Sequence, residues 1–87
     1  MLQISAADQV LSALATVTRT DEVRHNLDVP LFELDLLDSL GVVELLVALS
    51  DEFGLDLSPA EFDREEWATP RQVLAFVERR LESERPR

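Results

Sequence analysis

The chain has 87 residues, with 18 acidic side chains against 8 basic ones, a formal net charge of −10 and no cysteine. That length suits one domain with one modest core, burying roughly 60% of the surface its unfolded chain exposes and stable by about 5 kcal/mol. The composition excludes disulfides and thiolate metal sites, and the charge argues against nucleic acid and anionic membrane surfaces as partners. The charge is unevenly placed. Residues 21–66 hold 14 acids and 2 bases, residues 67–87 hold 3 acids and 5 bases, and every base is arginine. An acidic middle favours partners with basic docking patches, or serves only to keep a small protein soluble. Met1-Leu2-Gln3-Ile4-Ser5 has no basic flank and no sustained apolar run. The apolar stretches fall far short of the ~20 residues that cross a bilayer. A cytoplasmic protein without membrane insertion is expected.

In chain order, the spacing predicts a first helix from Ala6 to Arg19. Ser5 is its N-cap and Asp8 lies in its first turn. Ala7, Val10, Leu11, Leu14 and Val17 form its core-facing stripe. Residues 20–37 are a long connection, and a loop of that length in a small domain is expected to be functional or pinned. Val23, Leu27, Val29, Leu31, Phe32 and Leu34 can tack it to the core, with a short helical turn near Leu31 to Glu33. A second long helix starts at Ser39, taken as its N-cap, and stops at Phe53 before a left-handed Gly54. Leu55-Asp56-Leu57 is too short to demand a strand. Ser58-Pro59-Ala60-Glu61 is a capping box that opens a short helix, and Asp63-Arg64-Glu65-Glu66 repeats the pattern. Thr69-Pro70-Arg71-Gln72 opens the last helix, which buries Val73, Leu74, Val77 and Leu81 and carries Phe76 on its flank. Residues 4–82 are expected to be ordered and 83–87 to fray. The sum is three main helices plus a short one, a small all-α bundle in a single domain over residues 1–87.

The second long helix carries more apolar surface than one core can take. At about 100° per residue, Val42, Leu45, Leu46, Leu49 and Phe53 fall within an arc of about 100°, the core face. Leu40, Val43 and Val47 make a separate stripe of about 60° on the opposite side, bordered by Glu44 and Asp51. Either the long connection covers that stripe, or its members are scattered surface residues, or it is a docking surface. An apolar centre with an acidic rim suits a transient interface.

Ser39 stands at the start of this helix. A serine there is an ordinary N-cap, but free N–H groups and the positive end of the helix dipole also suit a phosphate. Asp38 would support a metal ion during modification of Ser39, or is only a charged loop residue. Hydrolytic catalysis lacks a positioned base, because the one histidine, His25, lies in the loop. The carboxylates lack calcium-loop spacing, so no metal site is expected. Gly41 and Gly54 are too far apart for a phosphate loop. No catalytic residue is assigned.

Leu37-Asp38-Ser39-Leu40, followed by Val43-Glu44-Leu45, resembles the phosphopantetheine attachment site of acyl and peptidyl carrier proteins. Glu61 to Pro70, together with Leu45 to Leu49 and Asp51-Glu52-Phe53, looks like the D-alanyl carrier group within that family. The resemblance covers about residues 8–81. It implies a four-helix bundle of the acyl-carrier-protein type and a 4'-phosphopantetheine arm from coenzyme A on Ser39. It implies Leu40, Val43, Glu44 and Val47 as partner contacts, with Asp51 at their border. The implied partners are a phosphopantetheinyl transferase, an adenylating ligase that activates D-alanine, and a membrane-bound O-acyltransferase that esterifies teichoic acids; the carrier itself is expected to be a monomer. Two positions depart from the group: Leu40 stands where many D-alanyl carriers have phenylalanine, and Asp35 where glycine is common. Trp67 lies inside the resemblance and is read as a core filler, with a ligand contact as the alternative. Two other readings stand beside this one. The first is a carrier for fatty-acid, polyketide or peptide synthesis, and the second is an interaction module that never carries an arm.

Overall fold

Ser5 starts the first helix as its sequence position suggests. Its backbone is extended (ψ 160°) and its hydroxyl accepts the Asp8 N–H at 3.1 Å. The computed structural model, which describes residues 5–57 and 63–83, places helix α1 at Ala6–Thr18. It ends one residue before the expected Arg19, which takes a left-handed φ of 61° and returns its N–H to the Ala15 carbonyl. The buried face is Val10, Leu14, Ala15 and Thr18, with Leu11 and Val17 at its edges. Ala7, expected in the stripe, is exposed. Thr18, not expected in the stripe, joins the buried face at the other end of the helix: its hydroxyl donates to the Leu14 carbonyl at 2.8 Å, so burial leaves no polar group unpaired.

The long connection is pinned. It opens with a one-turn helix α2, Glu22–His25, too short to leave a periodic signal in the sequence. Val23 of α2 is fully buried. Val29 and Leu31 follow it into the core, Leu27 and Phe32 are half-buried, and Leu34 is exposed. The segment from Leu31 to Asp35 is no continuous helix but holds the single helical turn expected near Leu31 to Glu33, the Leu34 N–H donating to the Pro30 carbonyl at 3.1 Å. It is a set of tight turns in which the N–H groups of Leu36 and Leu37 both return to the Leu31 carbonyl, at 2.9 and 3.1 Å. Asp35 closes them with a left-handed φ of 58°, a conformation glycine adopts without cost. Backbone bonds tie the connection to the far end of the chain: Leu31 N–H donates to the Ala68 carbonyl and Arg71 N–H to the Leu27 carbonyl, both at 2.9 Å. The Arg71 guanidinium adds a two-pronged bond to the Asp28 carboxylate at 2.9 and 3.2 Å.

Helix α3 spans Ser39–Phe53 and stops at Gly54, φ 65°. Leu55 behind it is buried, and no strand forms among the described residues. The short helix expected from Ser58 lies outside the described residues. Asp63 then caps a single 3-10 turn, Arg64–Trp67, its carboxylate accepting the Glu65 N–H at 2.9 Å. This turn buries Trp67 completely, so the core-filling reading holds. Thr69 accepts the Gln72 N–H at 3.3 Å and opens α4, Pro70–Ser83. Val73, Phe76 and Val77 are buried, while Leu74 and Leu81 are half-buried. Phe76 therefore belongs to the core rather than the flank. Trp67 draws it in, the two rings tilted by 56° with centroids 5.2 Å apart, a favourable aromatic geometry. Residues 84–87, most of the expected tail, are outside the described residues. Among those described, the chain is an all-α bundle with α1 packed against both α3 and α4.

Two outcomes are expected. A Cβ on Gly54 would meet nothing within 4 Å, so Gly54→Ala pays only the left-handed backbone term and lowers stability by about 1 kcal/mol in urea unfolding. Asp28 is exposed, and its hydrogen bond to Arg71 holds its pKa below the usual 3.8. A carboxylate lowered in the folded state stabilises above its unfolded pKa and loses that contribution as pH falls through the folded value. The small stability gap between wild type and Asp28→Asn should therefore close as pH falls below 3.8 and narrow in ~1 M salt.

Candidate functional site

The start of α3 differs from the sequence expectation in one way that matters. Asp38, not Ser39, is the N-cap. Asp38 is extended (φ −124°, ψ −175°) and its Oδ1 accepts the Gly41 N–H at 2.7 Å. Its carbonyl takes the Val42 N–H at 2.8 Å. Asp and Ser rank alike as caps, and adjacency left the choice open in the sequence. A carboxylate reaches the third N–H and adds a negative charge to the positive helix end. Asp38 is thus tied to the helix start through one carboxylate oxygen.

Ser39 becomes the first helical residue. It is exposed, and its hydroxyl has no capping duty. The N–H groups of Ser39 and Leu40 make no hydrogen bond among the described residues, so they stand ready for an anion beside that hydroxyl. Gly41 packs tightly beneath: a Cβ there would lie 3.2 Å from Leu37 Cδ1 and 3.3 Å from Val17 Cγ1. Close approach of α1 fixes this turn, so the serine projects from a rigid element.

The helix projection is borne out along α3. Val42, Leu45, Leu46 and Leu49 are buried, with Phe53 half-buried. Leu40, Val43 and Val47 are 68, 43 and 57% exposed. The long connection does not cover them. Glu44 and Asp51 are exposed with them, so the stripe and its acidic edge share one solvent face with Ser39 at its end. Beside Ser39 lies a depression of about 390 Å³ whose walls include Phe32, Val42, Val43 and Arg64. The Arg64 guanidinium sits 4.5 Å from the centroid of the Phe32 ring. Neither Arg64 nor Phe32 was singled out as a site residue in the sequence, because they come together only through the turns at residues 31–35 and 64–67.

Ser39 is thus an exposed serine on a rigid helix start. The family model for the phosphopantetheine attachment site matches residues 8–77, and the chain belongs to that family of carrier proteins. It is 52% identical over 69 residues to the D-alanyl carrier protein of Lacticaseibacillus rhamnosus, covering 79% of this chain and 85% of that protein. Identity to the D-alanyl carrier protein of Enterococcus faecalis is 46% over 71 residues, 82% of this chain and 91% of the other. For that of Bacillus velezensis it is 48% over 66 residues, 76% and 85%. As a member of the family the chain bears a covalent 4'-phosphopantetheine and acts as a carrier. The residues at the start of α3 fit that group: a free hydroxyl and two open N–H donors suit a phosphodiester.

The cap assignment separates two neighbours that the sequence could not. Asp38→Ala should lower stability by about 1 kcal/mol in urea unfolding, while Ser39→Ala should change it by less than about 0.5 kcal/mol.

Proposed function

We propose that this single carrier domain holds D-alanine as a thioester at the end of an arm on Ser39. The observation that carries the proposal is the exposed Ser39 hydroxyl, released from capping by Asp38 and lying at the end of the exposed Leu40, Val43 and Val47 stripe. The similarity to D-alanyl carrier proteins over about four-fifths of the chain supports the cargo.

The arm's terminal thiol supplies the sulfur that a chain without cysteine lacks. Every other task falls to the chain's own residues. Ser39 presents its oxygen to a phosphopantetheinyl transferase, which uses coenzyme A as donor. Leu40, Val43 and Val47 dock first that enzyme, then the adenylating ligase that activates D-alanine, then a membrane-bound O-acyltransferase. Glu44 and Asp51 steer basic patches on those partners. The small apolar centre suits a low-area, short-lived contact, which a carrier shared by several enzymes needs. Tethering raises the local concentration of the activated aminoacyl group at each active site. The acceptor we propose is teichoic acid or a related envelope polymer, with the carrier working in the cytoplasm as a monomer. No described helix is long and apolar enough to cross a membrane, so the O-acyltransferase supplies the membrane step.

One observation favours a second cargo. Leu40, the most exposed of the stripe at 68%, replaces the phenylalanine of many D-alanyl carriers, and a changed docking residue fits a different ligase and acyl group. An ATP-exchange assay across amino acids with the cognate ligase decides between them. D-alanine dependence supports our reading, and dependence on another acid transfers the carrier to that pathway.

Ser39→Ala should fold and yet gain no phosphopantetheine mass when incubated with coenzyme A and a transferase. Val43→Asp should leave stability within about 0.5 kcal/mol, since the side chain is exposed. It should cut ligase loading about tenfold, equivalent to about 1.4 kcal/mol of binding. A large loss of stability would instead put Val43 in the core.

A further inference from the structure

We propose that Arg64 binds the phosphodiester of the prosthetic arm and so turns the arm into the depression beside Phe32, Val42 and Val43. This rests on Ser39 being the attachment residue. Ser39 and Arg64 line the same depression, brought there by separate elements. The Arg64 guanidinium is held against one wall by the Phe32 ring at 4.5 Å, a cation–π contact that limits its rotamers while its N–H donors stay available to an anion. Arg24, Arg71 and Arg79 each hold a carboxylate, whereas Arg64 forms no ion pair among the described residues. It is one of only two bases in residues 21–66, and the other, Arg24, is already paired.

Charge explains why a cation belongs here. Asp35 and Asp38 line the same depression. A phosphodiester on the Ser39 oxygen adds a third negative charge close to both, and like charges at short range disfavour that arrangement. The Arg64 fork offsets it with a geometry suited to paired phosphate oxygens. A second depression, beside Leu40 and Glu44, has Arg19 in its wall but not Ser39. The depression that Ser39 lines thus has Arg64 in its wall. Phe32, Val42 and Val43 then offer apolar contact to the carbon portion of the arm.

The test uses the 15N-labelled full chain, converted with coenzyme A and a transferase and checked by peptide mass for one arm on Ser39. On conversion the Arg64 Nε–Hε resonance should shift while that of Arg79 stays in place. In Arg64→Gln the 31P resonance should move to the position of the same phosphodiester in the urea-unfolded protein and sharpen, and Arg64→Lys should restore part of the difference. An Arg64 resonance identical with and without the arm would overturn the proposal, as would a 31P signal indifferent to Arg64→Gln. If Arg64→Gln fails to fold or to accept the arm, the wild-type comparison alone decides. An arm found on another residue overturns the attachment reading itself, a result distinct from an arm on Ser39 that leaves Arg64 unmoved.

Discussion

The hydrogen bond from the Gly41 N–H to the Asp38 carboxylate, 2.7 Å long, sets the conditions for everything at the start of α3. It satisfies an N–H that no helical carbonyl can reach, and places a negative charge where the helix dipole welcomes it. It also relieves the next residue of that work. Were Ser39 the cap, its hydroxyl would be tied to the backbone and its side chain turned back along the helix. With Asp38 in that place, Ser39 presents an oxygen with no structural task, beside two N–H groups suited to a phosphate.

The rest of α3 divides between stability and recognition. Val42, Leu45, Leu46 and Leu49 are buried, each worth about 1.5–3 kcal/mol relative to exposure. Those contacts, with the ones from α1 and α4, hold the helix still. The opposite face leaves Leu40, Val43 and Val47 in water, giving up burial that a small domain could use. Such a stripe suits the transient docking we propose for it. Its acidic edge is consistent with the concentration of acids in residues 21–66, which draws basic partners over a distance set by salt. The long connection helps indirectly. Its backbone bonds to Ala68 and Arg71 keep it beside the 3-10 turn and off the exposed Leu40, Val43 and Val47 stripe.

Helical periodicity made α1, α3 and α4 legible in the sequence, and the two-faced character of α3 followed from the same projection. The caps at Ser5, Asp63 and Thr69 were legible from residue type. Three kinds of feature were not. The α2 turn is shorter than one period of any pattern. The choice between Asp38 and Ser39 depends on which side chain reaches Gly41, and adjacent residues of equal propensity do not reveal it. Thr18 and Phe76 entered the core because of particular partners, the Leu14 carbonyl and the Trp67 ring, which no stripe of apolar residues foretells. The same holds for the Arg64–Phe32 pair. The aminoacyl cargo is a further step removed, since in our proposal a partner ligase selects it.

The central claim is that Ser39 is the residue that bears the arm. Peptide mapping by mass spectrometry of the protein purified from its own host tests it most directly. The phosphopantetheine increment should be found on the peptide containing Leu37-Asp38-Ser39-Leu40 and localise to Ser39. An unmodified Ser39 throughout the population, or an arm on any other serine or threonine, would contradict it.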